Sequence, residues 1–156
     1  MWDCISRNGV PALCGGKLME IKLPYKVDMS VNQMYWTSRR GKFLKKEAIM
    51  LRARIMEDVK EQIKPFEISE MKSEIVDAKL TIGIIMTENW YCKNGSVKKA
   101  DLDNRLKFLI DSVFRGLNLD DRMIFEIYAK KEQSELAECV SIDIREWQED
   151  LEFQYS

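Results

Sequence analysis

Hydrophobic and polar positions alternate most cleanly from Ile75 to Thr87, where Val76, Ala78, Leu80, Ile82, Ile84 and Met86 fall on one side and Asp77, Lys79, Thr81, Gly83 and Ile85 on the other. That period of two predicts a strand with one face in the core. A shorter alternation, Met19, Ile21 and Leu23 against Glu20 and Lys22, predicts a first strand stopped by Pro24. Between them the pattern changes period. Leu44, Ala48, Leu51, Ile55, Val59 and Ile63 recur every three or four residues, which predicts a helix closed by Pro65, and the segment Tyr25–Gly41 before it reads as loop. A second helical stripe, Leu102, Leu106, Leu109, Ile110, Val113 and Leu117, follows, with Asp103 as its expected N-cap and Gly116 as its expected break. Met123–Lys130 and Glu138–Arg145 then read as strands, the second with Val140, Ile142 and Ile144 inward, and the connection KEQSELA suggests that the two form an antiparallel hairpin. The expected fold is α+β, a single domain with a mixed sheet of about four strands and two main helices.

At 156 residues and 46% hydrophobic, the chain is long enough to bury such a core unaided. The domain proper is expected over residues 19–145, preceded by a flexible extension, residues 1–18, and followed by an acidic tail, residues 146–156. The longest apolar stretch, Leu80–Met86, is too short to cross a bilayer, and the first eighteen residues lack the pattern of a signal peptide. Cys4, Cys14, Cys92 and Cys139 form no C-x-x-C pair, so reduced thiols in a cytoplasmic protein are expected.

Two features narrow the chemistry. The chain contains no histidine, which removes imidazole acid–base catalysis, Ser-His-Asp triads and histidine metal ligands together. The net charge of −1 is also unevenly spread, with Glu132–Ser156 carrying −7 and Met1–Lys131 therefore +6. A basic body with an acidic tail is compatible with phosphate binding. Its basic positions cluster at Arg39, Arg40, Lys42, Lys45 and Lys46, near Tyr35 and Trp36, and again at Lys98 and Lys99. A basic run of this kind is either a solvated helix start or an edge that contacts phosphates, with rings that can stack on bases.

The candidate chemistry lies between Lys98 and Asp121. Asp101 and Asp103 stand where the second helix begins, Lys107 follows Asp103 by four residues on the same face, and Asp120 and Asp121 precede the next strand. Carboxylates gathered there could share a divalent metal, with Lys107 offsetting charge on a phosphate. A plain structural reading is also open: Asp101 and Asp103 as caps, Asp103–Lys107 as an ion pair, and Asp120 as a turn residue. A helix of about thirteen residues would separate the two acidic pairs by roughly 20 Å, a distance removed if Asp121 comes from a second subunit or if the chain between the pairs is arranged otherwise.

The run A-D-L-D-N-R-L-K, then Asp111, then G-L-N-L-D-D before an apolar strand, resembles the RusA family of Holliday junction resolvases, with K-L-P, Asn32 and Tyr35 a weaker match nearer the N-terminus. The resemblance spans about Met19–Arg145 and implies a Mg²⁺-dependent endonuclease, with Mn²⁺ as an alternative ion, that acts as a homodimer and nicks four-way DNA junctions symmetrically in recombination and repair. It maps Asp101, Asp103 and Asp121 onto catalytic, metal-binding carboxylates, Lys107 onto an essential lysine, and Asn104, Asp111 and Asp120 onto other motif positions. Such proteins often belong to phages or prophages. Ala100 replaces a basic residue that some members carry before the first aspartate, leaving Lys98 or Lys99 to supply that charge. Two alternatives stay open: a non-cleaving nucleic-acid-binding phage accessory protein, and a metal nuclease acting on other branched DNA or on RNA.

Overall fold

The computed structural model describes residues 17–64 and 79–148. Residues 1–16 of the expected extension (1–18), the closing Pro65, the first four residues of the Ile75–Thr87 strand and residues 149–156 of the expected tail (146–156) lie outside the described residues, while Lys17 and Leu18 already belong to the first strand and Glu146 to the last. The elements run β1 (Lys17–Leu23), β2 (Tyr35–Ser38), β3 (Gly41–Leu44), α1 (Lys46–Gln62), β4 (Leu80–Glu88), α2 (Leu102–Leu117), a 3-10 turn (Asp121–Met123), β5 (Ile124–Gln133) and β6 (Cys139–Glu146).

Four strands form one mixed sheet in the order β1-β6-β4-β5, and β2 and β3 form a separate two-stranded ribbon. β4 and β5 are parallel and joined through α2, whereas β6 is antiparallel to both β1 and β4. The expected β5–β6 hairpin therefore does not form, because β4 lies between them. The reason is burial. Leu80 to Ile84 are buried on both faces of the sheet, including Thr81 and Gly83, and only a central position hides both faces. The inward rows then align across the sheet, with Ile21 opposite Ile142, Ile142 opposite Ile84, and Ile84 opposite Ala129.

Both helices pack on each other at Gly116. A Cβ there would sit 3.2 Å from Met56 Cα and from Val59 Cβ, so this glycine permits close helix approach and does not end α2. α2 ends one residue later, and Asn118 takes the left-handed C-cap conformation at φ 54°. At the other end the N-cap is Asp101, placing Asp103 inside the first turn.

The segment expected as loop contains the β2–β3 ribbon, and the basic cluster is divided accordingly. Arg39, Arg40 and Lys42 belong to the ribbon, while Lys45 caps α1 and Lys46 begins it. Aromatic residues directly opposite one another, Trp36 and Phe43, carry this pairing.

Candidate functional site

The loop Asn89–Asp101 carries the chain from β4 into α2, and it is held from three sides. Trp90 is buried, and its indole N–H donates to the Glu132 carbonyl at 3.0 Å. Two cations stand over its ring, the Arg105 guanidinium 5.0 Å from the centroid and the Lys131 ammonium at 4.6 Å. Lys131 Nζ also donates to the Ala100 carbonyl at 2.6 Å, directly before the first aspartate. Within the loop, Gly95 adopts φ 84°, a conformation that glycine takes without steric cost, and the turn closes through the Tyr91–Val97 bridge.

Arg105 anchors the start of α2. It donates to Glu88 at the end of β4 at 2.5 Å and to Asp28 at 3.0 Å, and both Arg105 and Glu88 are buried. Neither was singled out from the sequence, although a signal was present. Glu88 continues the inward alternation of Leu80, Ile82, Ile84 and Met86, and Arg105 falls on the buried side of α2 beside Leu109. Two opposite charges on inward positions of adjoining elements are expected to pair. Asn104 completes the anchor: its side chain donates to Asp101 at 3.2 Å, and its carbonyl accepts from the Val31 N–H at 3.1 Å.

The candidate residues divide among three neighbouring depressions. Asp103, Lys107 and Asp121 line one groove of 420 Å³ between α2 and β5, with Leu106, Ile110, Ile124 and Ile127 as its apolar lining. Leu106 and Ile110, expected in the buried stripe, are thus only partly covered, while Phe108 and Phe114 take the fully buried side. Asp101 faces a second pocket with Asp28, Asn32, Lys98, Lys99 and Asn104. Asp111, Asp120 and Asp121 border a third.

Several of these carboxylates already have partners. Asp111 joins α1 to α2, pairing with Arg52 at 2.8 Å and Arg115 at 3.2 Å, which gives it an architectural role. Asp120 caps the 3-10 turn by accepting from the Arg122 N–H at 3.0 Å. Asp103 and Lys107 form no ion pair with each other or with any other group among the described residues. The plain reading of that pair as an i,i+4 salt bridge therefore fails, and both side chains are left facing the groove.

Among the described residues no three acidic or other metal-ligating side chains come together. The topology explains the separation. Asp101 caps the first turn of α2, whereas Asp121 follows its last turn, and a helix of sixteen residues holds those two ends roughly 24 Å apart. Among the described residues β5 is also the sheet's edge strand, with Phe125 and Ile127 exposed.

Fold and site together define a mixed-sheet α+β domain whose carboxylates and lysines gather at the start of one helix, with a basic ribbon alongside. The family described as endodeoxyribonuclease RusA matches residues 24–145. The chain belongs to that family of endodeoxyribonucleases. No curated protein matches it. Among solved structures, a 2C-methyl-D-erythritol-2,4-cyclodiphosphate synthase aligns at 18% identity over 70% of this chain, with a TM-score of 0.26, too low to establish a common fold. The alignment spans 57% of that synthase chain. No helix among the described residues is long and apolar enough to cross a membrane.

Proposed function

We propose that this protein is a Mg²⁺-dependent endonuclease that works as a homodimer in the cytoplasm and nicks four-way DNA junctions symmetrically, in recombination and repair. The observation that carries the reading is the groove between α2 and β5, with Asp103 and Lys107 toward one end of it and Asp121 toward the other, beside β5 as the edge strand among the described residues. If two copies pair antiparallel along β5, the start of one strand meets the end of the other. The partner's Asp121 then approaches the Asp101–Asp103 end of α2, and two identical sites form about one twofold axis. The four-way junction has the same approximate symmetry.

The donor set suits a hard divalent cation, because every candidate ligand is a carboxylate. Asp101, Asp103 and the partner's Asp121 would hold Mg²⁺, with Mn²⁺ able to substitute. When bound, the ion supplies an activated water and neutralises charge on the phosphodiester. Lys107, one turn further along the same face, offers a fixed cation for the developing charge on the phosphate. Lys98 and Lys99, around the rim from Asp101, and the basic residues Arg39, Arg40, Lys42, Lys45 and Lys46 bind backbone phosphates on either side.

The test uses an immobile four-way junction and a linear duplex of matched sequence, each with and without Mg²⁺. The expected result is paired symmetric nicks in the junction alone. Asp103→Asn abolishes them with binding retained, and Lys107→Ala slows them by about a hundredfold or more. Junction binding without cleavage at any Mg²⁺ or Mn²⁺ concentration would instead identify an accessory module. Equal cutting of linear duplex, of other branched DNA or of RNA would remove the junction selectivity.

A further inference from the structure

The β2–β3 ribbon displays its largest side chains on the wrong face for a core. Tyr35 and Leu44, opposite each other, turn toward the domain and pack against the hydrophobic core. Trp36 and Phe43, the next pair along, point away from it, 49% and 40% exposed. Their rings stack with centroids 4.9 Å apart and planes at 28°. A ring pair of this kind holds a ribbon together, yet it leaves one broad aromatic face open to solvent.

The surroundings of that face indicate its occupant. From Ser30 to Lys46 the chain has no acidic residue and five basic ones. Arg39 and Arg40 form the tip, and Gly41 at φ 130° completes the turn in a conformation that favours glycine. Lys42 lies over the Tyr35 ring, 4.5 Å from its centroid, and Lys45 and Lys46 stand at the base. None of the five basic side chains has an ion-pair partner among the described residues. Aromatic faces flanked by unneutralised cations suit nucleic acid whose bases are accessible, since the rings take base faces and the cations take phosphates. A fully stacked duplex offers no base face to such a pair, whereas the branch point of a junction does.

The ribbon is also fixed in relation to the acidic groove. Its base is closed by the Lys45 N–H donating to the Met34 carbonyl at 2.8 Å. Val31, just before it, donates to the Asn104 carbonyl in the first turn of α2 at 3.1 Å. A group seated on the ribbon is therefore held in register with Asp101 and Asp103.

We infer that the Trp36–Phe43 face is a stacking wedge that receives a base exposed at the DNA branch point and so selects branched over linear DNA. This rests on the proposed junction reading and names the element that recognises the branch. The experiment measures binding in EDTA, where no cleavage is required, to a four-way junction carrying 2-aminopurine at the branch point or five pairs into an arm. With the unaltered protein, fluorescence should change at the branch position only. In Trp36→Ala/Phe43→Ala the branch signal should vanish and junction affinity should fall about tenfold or more, while linear duplex affinity stays within about twofold. Trp36→Phe should keep most of both. Trp36→Gln, which leaves Phe43 in place, serves if the double variant does not melt cooperatively.

An unchanged branch signal or junction affinity in the folded variants would overturn the inference. So would equal losses on junction and duplex. A shift from dimer to monomer in sedimentation would reassign the rings to a contact between copies. Failure of the unaltered protein to cleave in Mg²⁺ would count against the endonuclease reading alone, because the wedge is read from binding.

Discussion

Arg105 and Glu88 form a buried ion pair at 2.5 Å that ties the fourth residue of α2 to the last residue of β4. The consequence is positional. The first turn of α2, with Asp101 as its cap and Asp103 within it, cannot tilt without breaking a contact that has little access to water. Removing one partner leaves the other charged and buried, at a cost of about 3–5 kcal/mol. Arg105→Ala should therefore lower folding stability by that amount in urea melts. The pair replaced together, Glu88→Leu/Arg105→Met, should be much less destabilised. If the double variant is as unstable as the single one, the pair does not carry the anchor.

A composite site makes a prediction that a single-chain site does not. Asp103→Asn and Asp121→Asn proteins should each be inactive alone. Mixed under conditions that exchange subunits, they should recover about a quarter of the unaltered nicking rate, because half the dimers hold both types and each of these has one intact site. These dimers should nick one strand and not resolve the junction. No recovery, with exchange demonstrated by differently tagged copies, would place all the carboxylates of one site in one chain.

How far this was legible in the sequence depended on whether a signal was local. The strands β1 and β6, the helices and the acidic stretch follow from periodicity that neighbours do not alter. Strand order does not. β5 and β6 are joined by a short connection that suits a hairpin, and only the two-sided burial of β4 forces it between them. Gly116 reads as a helix end by composition and is a helix–helix contact by packing. At the site, the relation of Asp103 to Lys107 was visible as spacing along one face, and their lack of an ion pair needed coordinates. The distance between the acidic pairs could be estimated from helix rise alone, whereas the edge position of β5 needed the strand order.

Gly116 offers a test of packing away from the site. With Met56 and Val59 already 3.2 Å from the position of a Cβ, a branched side chain must push α1 away from α2. Gly116→Val should cost about 1–3 kcal/mol by overpacking, measured as a lower urea midpoint. An unchanged midpoint would show that the helix interface yields more readily than its geometry indicates.

Folding stability should depend on pH through one buried carboxyl. Asp143 is fully buried in β6, and burial raises its carboxyl above the usual carboxylate range, although Arg145, donating at 2.8 Å, works in the opposite direction. Its Oδ1 has no hydrogen-bond partner among the described residues. Because the folded state holds this proton more tightly than the unfolded chain, the stability it contributes is complete below the unfolded value near 3.9 and is lost as pH rises through the raised folded value. Asp143→Asn removes that titration while keeping the side chain's shape. The variant should therefore gain on the unaltered protein as pH is raised from about 4 to 7, since the unaltered protein alone must then bury a charge. Urea melts of both proteins across that range give the difference directly, with the other carboxylates cancelling. A difference that is flat, or that grows toward acid, would mean that the Arg145 pairing outweighs the burial of Asp143.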